Sequence, residues 1–180
     1  MPVLQDTLRE LFAPAEYLDD LFAVNLAGLA ARGIKLLLID VDNTVLPADA
    51  DQPSLRAINW FEQLDTLAFR TVLISDALGR ARLEKISALL GVPAYYGVLK
   101  PFLPGLKYIL AEYGVRPEEC AVVGDALVGD ILPARRLGAY AILVKGCDQP
   151  FLARREIGFL RRARAAVLET VINKRVVYNA

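Results

Sequence analysis

Leu36–Leu46 reads LLLIDVDNTVL: an apolar run enters Asp40, and Asp42, Asn43 and Thr44 follow before the chain turns polar. A short apolar run of this kind suits a buried central strand of a parallel sheet. The polar residues then fall at the strand's carboxyl end, where open α/β sheets bind ligands. In extended backbone, residues two apart point to the same side, so Asp40 and Asp42 start close together. Close carboxylates repel unless a cation or a shared proton compensates them. The simplest compensation is a divalent metal, with one carboxylate left to attack.

On either side of this stretch, further strands and helices alternate. Gly33 feeds a strand over Ile34–Ile39, and Pro53 or Ser54 opens a helix to about Ala68, with Trp60 and Phe61 on its buried side. Thr71–Ser75 is a second strand, and a helix from about Gly79 to Leu90 is closed by Gly91. Ala94–Tyr96 forms a third strand, followed by Lys100-Pro101 and a helix from Pro104 to near Gly114. Cys120–Gly124 is a fourth strand running into GDALVGD, with Asp125 and Asp130, and Tyr140–Val144 is a fifth. At the start, Leu4, Leu8, Leu11 and Phe12 recur at helical spacing until Pro14. Tyr17, Leu18, Leu21 and Phe22 continue an amphipathic helical pattern beside acidic residues. Alternating elements of this kind imply a mostly parallel sheet with helices on both faces. Each polar residue singled out follows a strand, so all share one rim.

Composition narrows the chemistry. The 180 residues suit one domain with a substantial core, and hydrophobic residues make up 55% of them. No stretch approaches the roughly 18 uncharged apolar residues of a spanning helix, and MPVLQDTLRE lacks the basic and apolar regions of a signal peptide. A cytoplasmic protein is expected. Cys120 and Cys147 make neither a disulfide framework nor a zinc site. There is no histidine, which excludes His-based triads and imidazole metal sites and leaves carboxylates, Lys and hydroxyls. The net charge is zero, which does not fit a broadly basic nucleic-acid-binding domain. No Gly-x-x-x-x-Gly-Lys-Ser/Thr loop is present for nucleotide-driven kinase chemistry. Charge is uneven, however: residues 1–53 hold nine acidic and three basic side chains, residues 151–180 two acidic and seven basic.

Taken singly, each polar residue has an ordinary explanation as a turn former, a cap or a surface charge. Their order is harder to obtain by chance. Asp-x-Asp-x-Thr, then Ser, then Lys-Pro, then Gly-Asp-x-x-x-x-Asp resembles the haloacid dehalogenase (HAD) superfamily of phosphohydrolases over residues 34–144. The Asp40-Val41-Asp42-Asn43-Thr44 form is similar to its phosphatase members. The acidic lead-in, short spacings and basic tail most resemble the YqeG-type branch of subfamily IIIA, related to mitochondrial phosphatidylglycerophosphatases.

The resemblance implies a Rossmann-like three-layer α/β/α sandwich with a parallel five-stranded sheet, in strand order 5-4-1-2-3. It implies that Asp40 attacks phosphorus and forms an aspartyl-phosphate, while Asp42 protonates the leaving alcohol and then activates water. Asp40, the Asp42 carbonyl, Asp125 and Asp130 are implied as the metal site, and oxygen ligation selects Mg²⁺. Ser75, Lys100 and Asn43 would bind the phosphoryl group, with Thr44 and Gly124 supporting the loops. One departure stands out: Ser75 is followed by Asp76, where this branch often has Asn. Asp76 is read as the N-cap of the following helix; pointing inward, it would weaken phosphate binding.

Only 30 residues separate Thr44 from Ser75 and 24 separate Ser75 from Lys100, so neither gap holds a cap domain. An uncapped site suits phosphate on a large or anchored body. Residues 1–150 are read as a single HAD-like phosphatase domain with a helical lead-in, and 151–180 as a basic amphipathic helix packed on or flanking it. On that helix Phe159, Leu160, Ala163, Ala166, Val167 and Val171 form one side, and Arg154, Arg155, Arg161, Arg162 and Arg164 the other. Two placements fit: the apolar stripe packs on the domain, or residues 151–175 lie peripherally on an anionic membrane. The expected function is Mg²⁺-dependent hydrolysis of a phosphate monoester, with phosphatidylglycerophosphate, a membrane phospholipid, as the chosen substrate. The alternatives are a phosphatase of soluble phosphosugars or nucleotides, and a silent binding protein on the same fold.

Overall fold

The computed structural model describes residues 10–147 apart from Ala77, Leu78 and Leu99. Its centre is β2, Leu36–Asp40, in which Leu36 to Ile39 have no exposed surface. Burying each such Leu or Ile stabilises the fold by about 1.5–3 kcal/mol. Among the described residues five further strands run parallel to it: β1 (Glu16–Leu18), β3 (Arg70–Ser75), β4 (Ala94–Tyr96), β5 (Cys120–Gly124) and β6 (Tyr140–Val144). The sheet order is β1-β6-β5-β2-β3-β4. The five expected strands therefore stand in the expected order, and a sixth is added at one edge.

The helices are α1 (Leu26–Ala31), α2 (Leu55–Thr66), α3 (Arg80–Leu90), α4 (Leu103–Tyr113) and α5 (Leu132–Leu137). The two-residue period of the strands sorts the core into two layers. Leu37, Ile39, Leu73 and Val123 face Trp60, Phe61 and Leu64 of α2 and Leu83 and Ile86 of α3. Leu36, Leu38, Val72, Ile74 and Val122 face Leu106, Ile109 and Leu110 of α4 and Ala134 of α5. The result is the α/β/α sandwich the alternation predicts.

Local signals set most of the ends. The Ser54 hydroxyl accepts from the Ala57 N–H at 3.1 Å and caps α2. Gly91 and Gly114 close α3 and α4 at φ 68° and 60°, the left-handed conformation that lacks a Cβ penalty only for glycine. Between Thr44 and Lys100 the described chain forms only a loop, α2, β3, α3 and β4, so no cap domain is inserted there.

The lead-in departs from expectation. Tyr17 and Leu18 belong to strand β1, and Leu21–Ala23 is a 3₁₀ turn, where an amphipathic helix was predicted. The reason is the edge of β6, whose backbone groups need partners. Ala15 N–H donates to Ala141 O at 2.8 Å, Lys145 N–H to Leu18 O at 3.0 Å, and Tyr140 Oη to Glu16 Oε1 at 2.8 Å. Tyr17 then packs on one core layer and Leu18 on the other, the alternation of a strand rather than a helix. Expectations for residues 1–9 and for the helix over 151–180 lie outside the described residues. No helix among the described residues is long and apolar enough to cross a membrane.

The two cysteines sit in opposite environments. Cys120 opens β5 with no exposed surface, and burial pushes its thiol up to about 12. Cys147 is exposed. The folded protein is therefore expected to titrate one thiol with a disulfide reagent at pH 8 and two in denaturant. Two fast-reacting thiols in the native state would contradict the position of β5.

Candidate active site

From β2 the chain first adds β3 and β4 on one side, then crosses to place β5 and β6 on the other. The switch therefore lies between β2 and β5, and a crevice opens at the carboxyl ends of these strands. Asp40 ends β2, and Asp125 follows Gly124 at the end of β5. A π-helical turn, Leu127–Ile131, then brings Asp130 back over the end of β5.

These elements gather an inner group of buried charges. Asp40, Asp125 and Asp130 place one carboxylate oxygen each within 4.8 Å of one another. Lys100, on the loop after β4, inserts its ammonium among them, with its side chain only 4% exposed. Its Nζ donates to Asp40 Oδ1 at 2.5 Å and to Asp130 Oδ1 at 2.7 Å. The other Asp40 oxygen accepts from Thr44 Oγ1 at 3.2 Å, and Asp130 Oδ2 from the Ala126 N–H at 3.0 Å.

Burial raises the Asp40 carboxyl well above its ordinary value, and the charges of Asp130 and Asp125 add to this against the opposing pull of Lys100. Burial presses Lys100 toward neutrality, but Asp130 and Asp40 outweigh it and hold the ammonium above the usual lysine range. Ionised together, the three carboxylates would exceed the one ammonium by two negative charges. An all-oxygen donor set with that excess fits a hard divalent cation.

Gly124 is fixed by this packing. A Cβ there would stand 2.2 Å from both Cγ and Oδ2 of Asp130, far inside any real contact. The residue before Asp125 must therefore lack a side chain for Asp130 to reach Lys100.

An outer group forms beside the first. Asp42 Oδ1 accepts from Arg82 Nη1 at 2.7 Å, and Asp42 Oδ2 from Ser75 Oγ at 3.5 Å. Asn43 takes φ 64°, a left-handed conformation that Asn tolerates better than most residues. Its N–H donates to Leu46 O at 2.8 Å and its carbonyl accepts from the Cys147 N–H at 2.7 Å. The Asn43 Oδ1 is buried without a hydrogen-bond partner among the described residues. The structure thus draws Asp40, Thr44, Lys100, Gly124, Asp125 and Asp130 into one cluster, with Asp42, Asn43 and Ser75 along its border.

Two features differ from the sequence reading. Asp76 is not the N-cap of α3: that position is Gly79, which makes no side-chain cap hydrogen bond. Asp76 Oδ1 instead accepts from the Lys100 N–H at 3.1 Å. The end of β3 faces the loop after β4, and the amide of Lys100 supplies a donor that the carboxylate can reach from the rim. Arg82 carries no distinguishing mark in the sequence. It is one of three cations in the first six residues of α3, with Arg80 and Lys85, and nothing in that spacing marks it as the one that meets Asp42.

Comparison with known proteins agrees with this architecture. The HAD-hydrolase-like family matches residues 98–149. The chain is 30% identical over 137 residues to "Probable phosphatase YqeG" of Bacillus subtilis, covering 76% of this chain and 79% of that protein. It is also 30% identical over 105 residues to the glyceraldehyde 3-phosphate phosphatase of Methanocaldococcus jannaschii, covering 53% of this chain and 46% of that protein. Among solved structures, the cobalt-bound deoxy-D-mannose-octulosonate 8-phosphate phosphatase of Haemophilus influenzae aligns with a TM-score of 0.50 at 19% identity. That alignment covers 78% of this chain and 90% of the other, and it is a likeness of fold.

The contact at Gly124 yields a direct expectation. Gly124→Ala forces Asp130 away from Ala126 and Lys100 and should lower unfolding stability by about 1–3 kcal/mol in urea titrations. An unchanged midpoint would mean that the Asp130 carboxylate relocates freely, against the packing described.

Proposed function

Because the chain belongs to the HAD superfamily and is a phosphatase of that family, we propose that it hydrolyses a phosphate monoester through Asp40, with phosphatidylglycerophosphate as substrate. The observation that carries this reading is the position of Asp40. Its carboxylate ends the central strand, braced by Thr44 on one oxygen and paired with Lys100 on the other.

In the first displacement an Asp40 oxygen attacks phosphorus, and the bond from phosphorus to the alcohol oxygen breaks as Asp42 gives that oxygen a proton. In the second, water attacks the aspartyl-phosphate and its proton passes to Asp42. The bond from phosphorus to Asp40 breaks, and inorganic phosphate leaves. Ser75 and the Asn43 loop orient the phosphoryl oxygens, and the Lys100 ammonium offsets their charge as it develops. Asp40, Asp125, Asp130 and the Asp42 carbonyl would hold a Mg²⁺ ion, whose charge, when bound, screens the phosphate dianion from the carboxylates.

The uncapped rim supports a substrate whose bulk stays outside the crevice, as a lipid headgroup in a membrane does. The basic segment 151–175 supports the same choice through its charge, as a peripheral contact with anionic lipid. A second reading, a phosphatase of soluble sugar phosphates, is favoured by the identity to the glyceraldehyde 3-phosphate phosphatase.

Phosphate release from phosphatidylglycerophosphate micelles and from soluble phosphosugars, with Mg²⁺ or EDTA, separates these readings. Lipid-specific release is expected, lost in EDTA and reduced at least ~1000-fold in Asp40→Asn, since the nucleophile itself is removed. Release from soluble esters alone would discard the lipid substrate, and activity retained by Asp40→Asn would discard the mechanism.

A further inference from the structure

Arg82 belongs to none of the motifs and to none of the roles assigned above. It lies in the first turn of α3, and its guanidinium forms three hydrogen bonds at once. Nη1 donates to Asp42 Oδ1 at 2.7 Å, Nε to Ala50 O at 2.7 Å and Nη2 to Pro47 O at 3.2 Å. The neighbouring cations on α3 pair elsewhere: Arg80 with Glu84, Lys85 with Asp51. An exposed arginine that meets one carboxylate holds it weakly. Arg82 is different, because its rigid fork loses its rotamer freedom once and gains three contacts with it. Two of those contacts are carbonyls of the loop that follows Asp42, and that loop is closed on itself by the Asn43 to Leu46 hydrogen bond. One side chain of α3 therefore fixes both the Asp42 carboxylate and the loop that carries it.

The direction of the clamp matters. Oδ1 is taken by Arg82, so Oδ2 is the oxygen turned to the Ser75 side. Ser75 directly follows Ile74, the register partner of Asp40 across β2 and β3. We infer that Arg82 is a positioning residue that holds Asp42 in the one rotamer from which Oδ2 exchanges a proton with the leaving oxygen. The inference rests on the role of Asp42 proposed above. Arg82 keeps its own protons throughout and contributes orientation alone.

The leaving group tells orientation of an acid apart from general support. p-Nitrophenolate departs without a proton, whereas an alkoxide needs one. The full chain with Mg²⁺ would be assayed on p-nitrophenyl phosphate and on glycerol phosphate, as wild type, Arg82→Met, Arg82→Lys and Asp42→Asn, with melting temperatures for each. Arg82→Met, which keeps an aliphatic stem for packing, should lower kcat/KM on glycerol phosphate by about 10–100-fold. On p-nitrophenyl phosphate it should change kcat/KM by less than about 3-fold, while kcat and KM fall together, because water attack on the aspartyl-phosphate also uses Asp42. Arg82→Lys, which retains one charged contact, should recover part of the alkyl-ester rate. Equal losses on both esters, or a raised KM on both with kcat held, would overturn the inference. An Asp42→Asn variant without leaving-group selectivity would instead refute the role of Asp42, and the inference would fall with it.

Discussion

The ammonium of Lys100, enclosed between Asp40 and Asp130, is the interaction on which the buried rim at the strand ends depends. Ions taken out of water lose several kcal/mol of hydration each, and mutual attraction offsets this only where the geometry is good and the remaining donors and acceptors are satisfied. Both conditions shape the neighbourhood. Thr44 and Ala126 supply hydrogen bonds to the outer oxygens of the two carboxylates, and Asp76 receives the Lys100 main-chain N–H. Removing any one partner would strand a charge inside the protein, so side chains from four separate stretches of chain are bound to one arrangement.

That arrangement is possible because of where the sheet changes direction. β2 and β5 are neighbours in space, but 79 residues lie between Asp40 and Cys120 in the chain. Their carboxyl ends deliver Asp40 and Asp125 side by side without any long loop. The inner cluster is thus built by the most rigid part of the fold. Asp42 is built differently: it stands on a loop, outside the strand, and is held by a helix on the other side of that loop. In the mechanism we propose, a nucleophile fixed by the sheet and a proton carrier fixed by a side-chain clamp divide the work between immobile and adjustable supports.

Much of this was legible in the sequence because the relevant signals are local. LLLID can be little other than a buried strand, CAVVG and YAILV likewise, and the strands Ala94–Tyr96, Cys120–Gly124 and Tyr140–Val144 fall at the residues the pattern indicates. The features that escaped were decided by partners remote in the chain. Glu16–Leu18 is too short for a two-residue period to stand out, and it is a strand only because β6 offers an unpaired edge. Asp76 looked like a cap because caps are read from the following residues, whereas its partner lies 24 positions away. Arg82 meets Asp42 across 40 positions, and its helix offers Arg80 and Lys85 as equivalent candidates. Gly124 could be named from its motif, but only the position of Asp130 explains why no other residue fits.

Among the described residues, the two strands that bound the sheet, β1 and β4, are each three residues long. An exposed edge is a template on which another chain can add a strand, and the hazard grows with the length of unpaired backbone it offers. A parallel sheet is also slow to form, because its pairings are distant in the chain, so its edges stay accessible for longer during folding. With only three residues on either flank, there is little backbone for a second molecule to register against. The long, apolar strands, those most prone to self-association, lie between them. Short edges of this kind limit edge-to-edge pairing of the hydrophobic strands they flank.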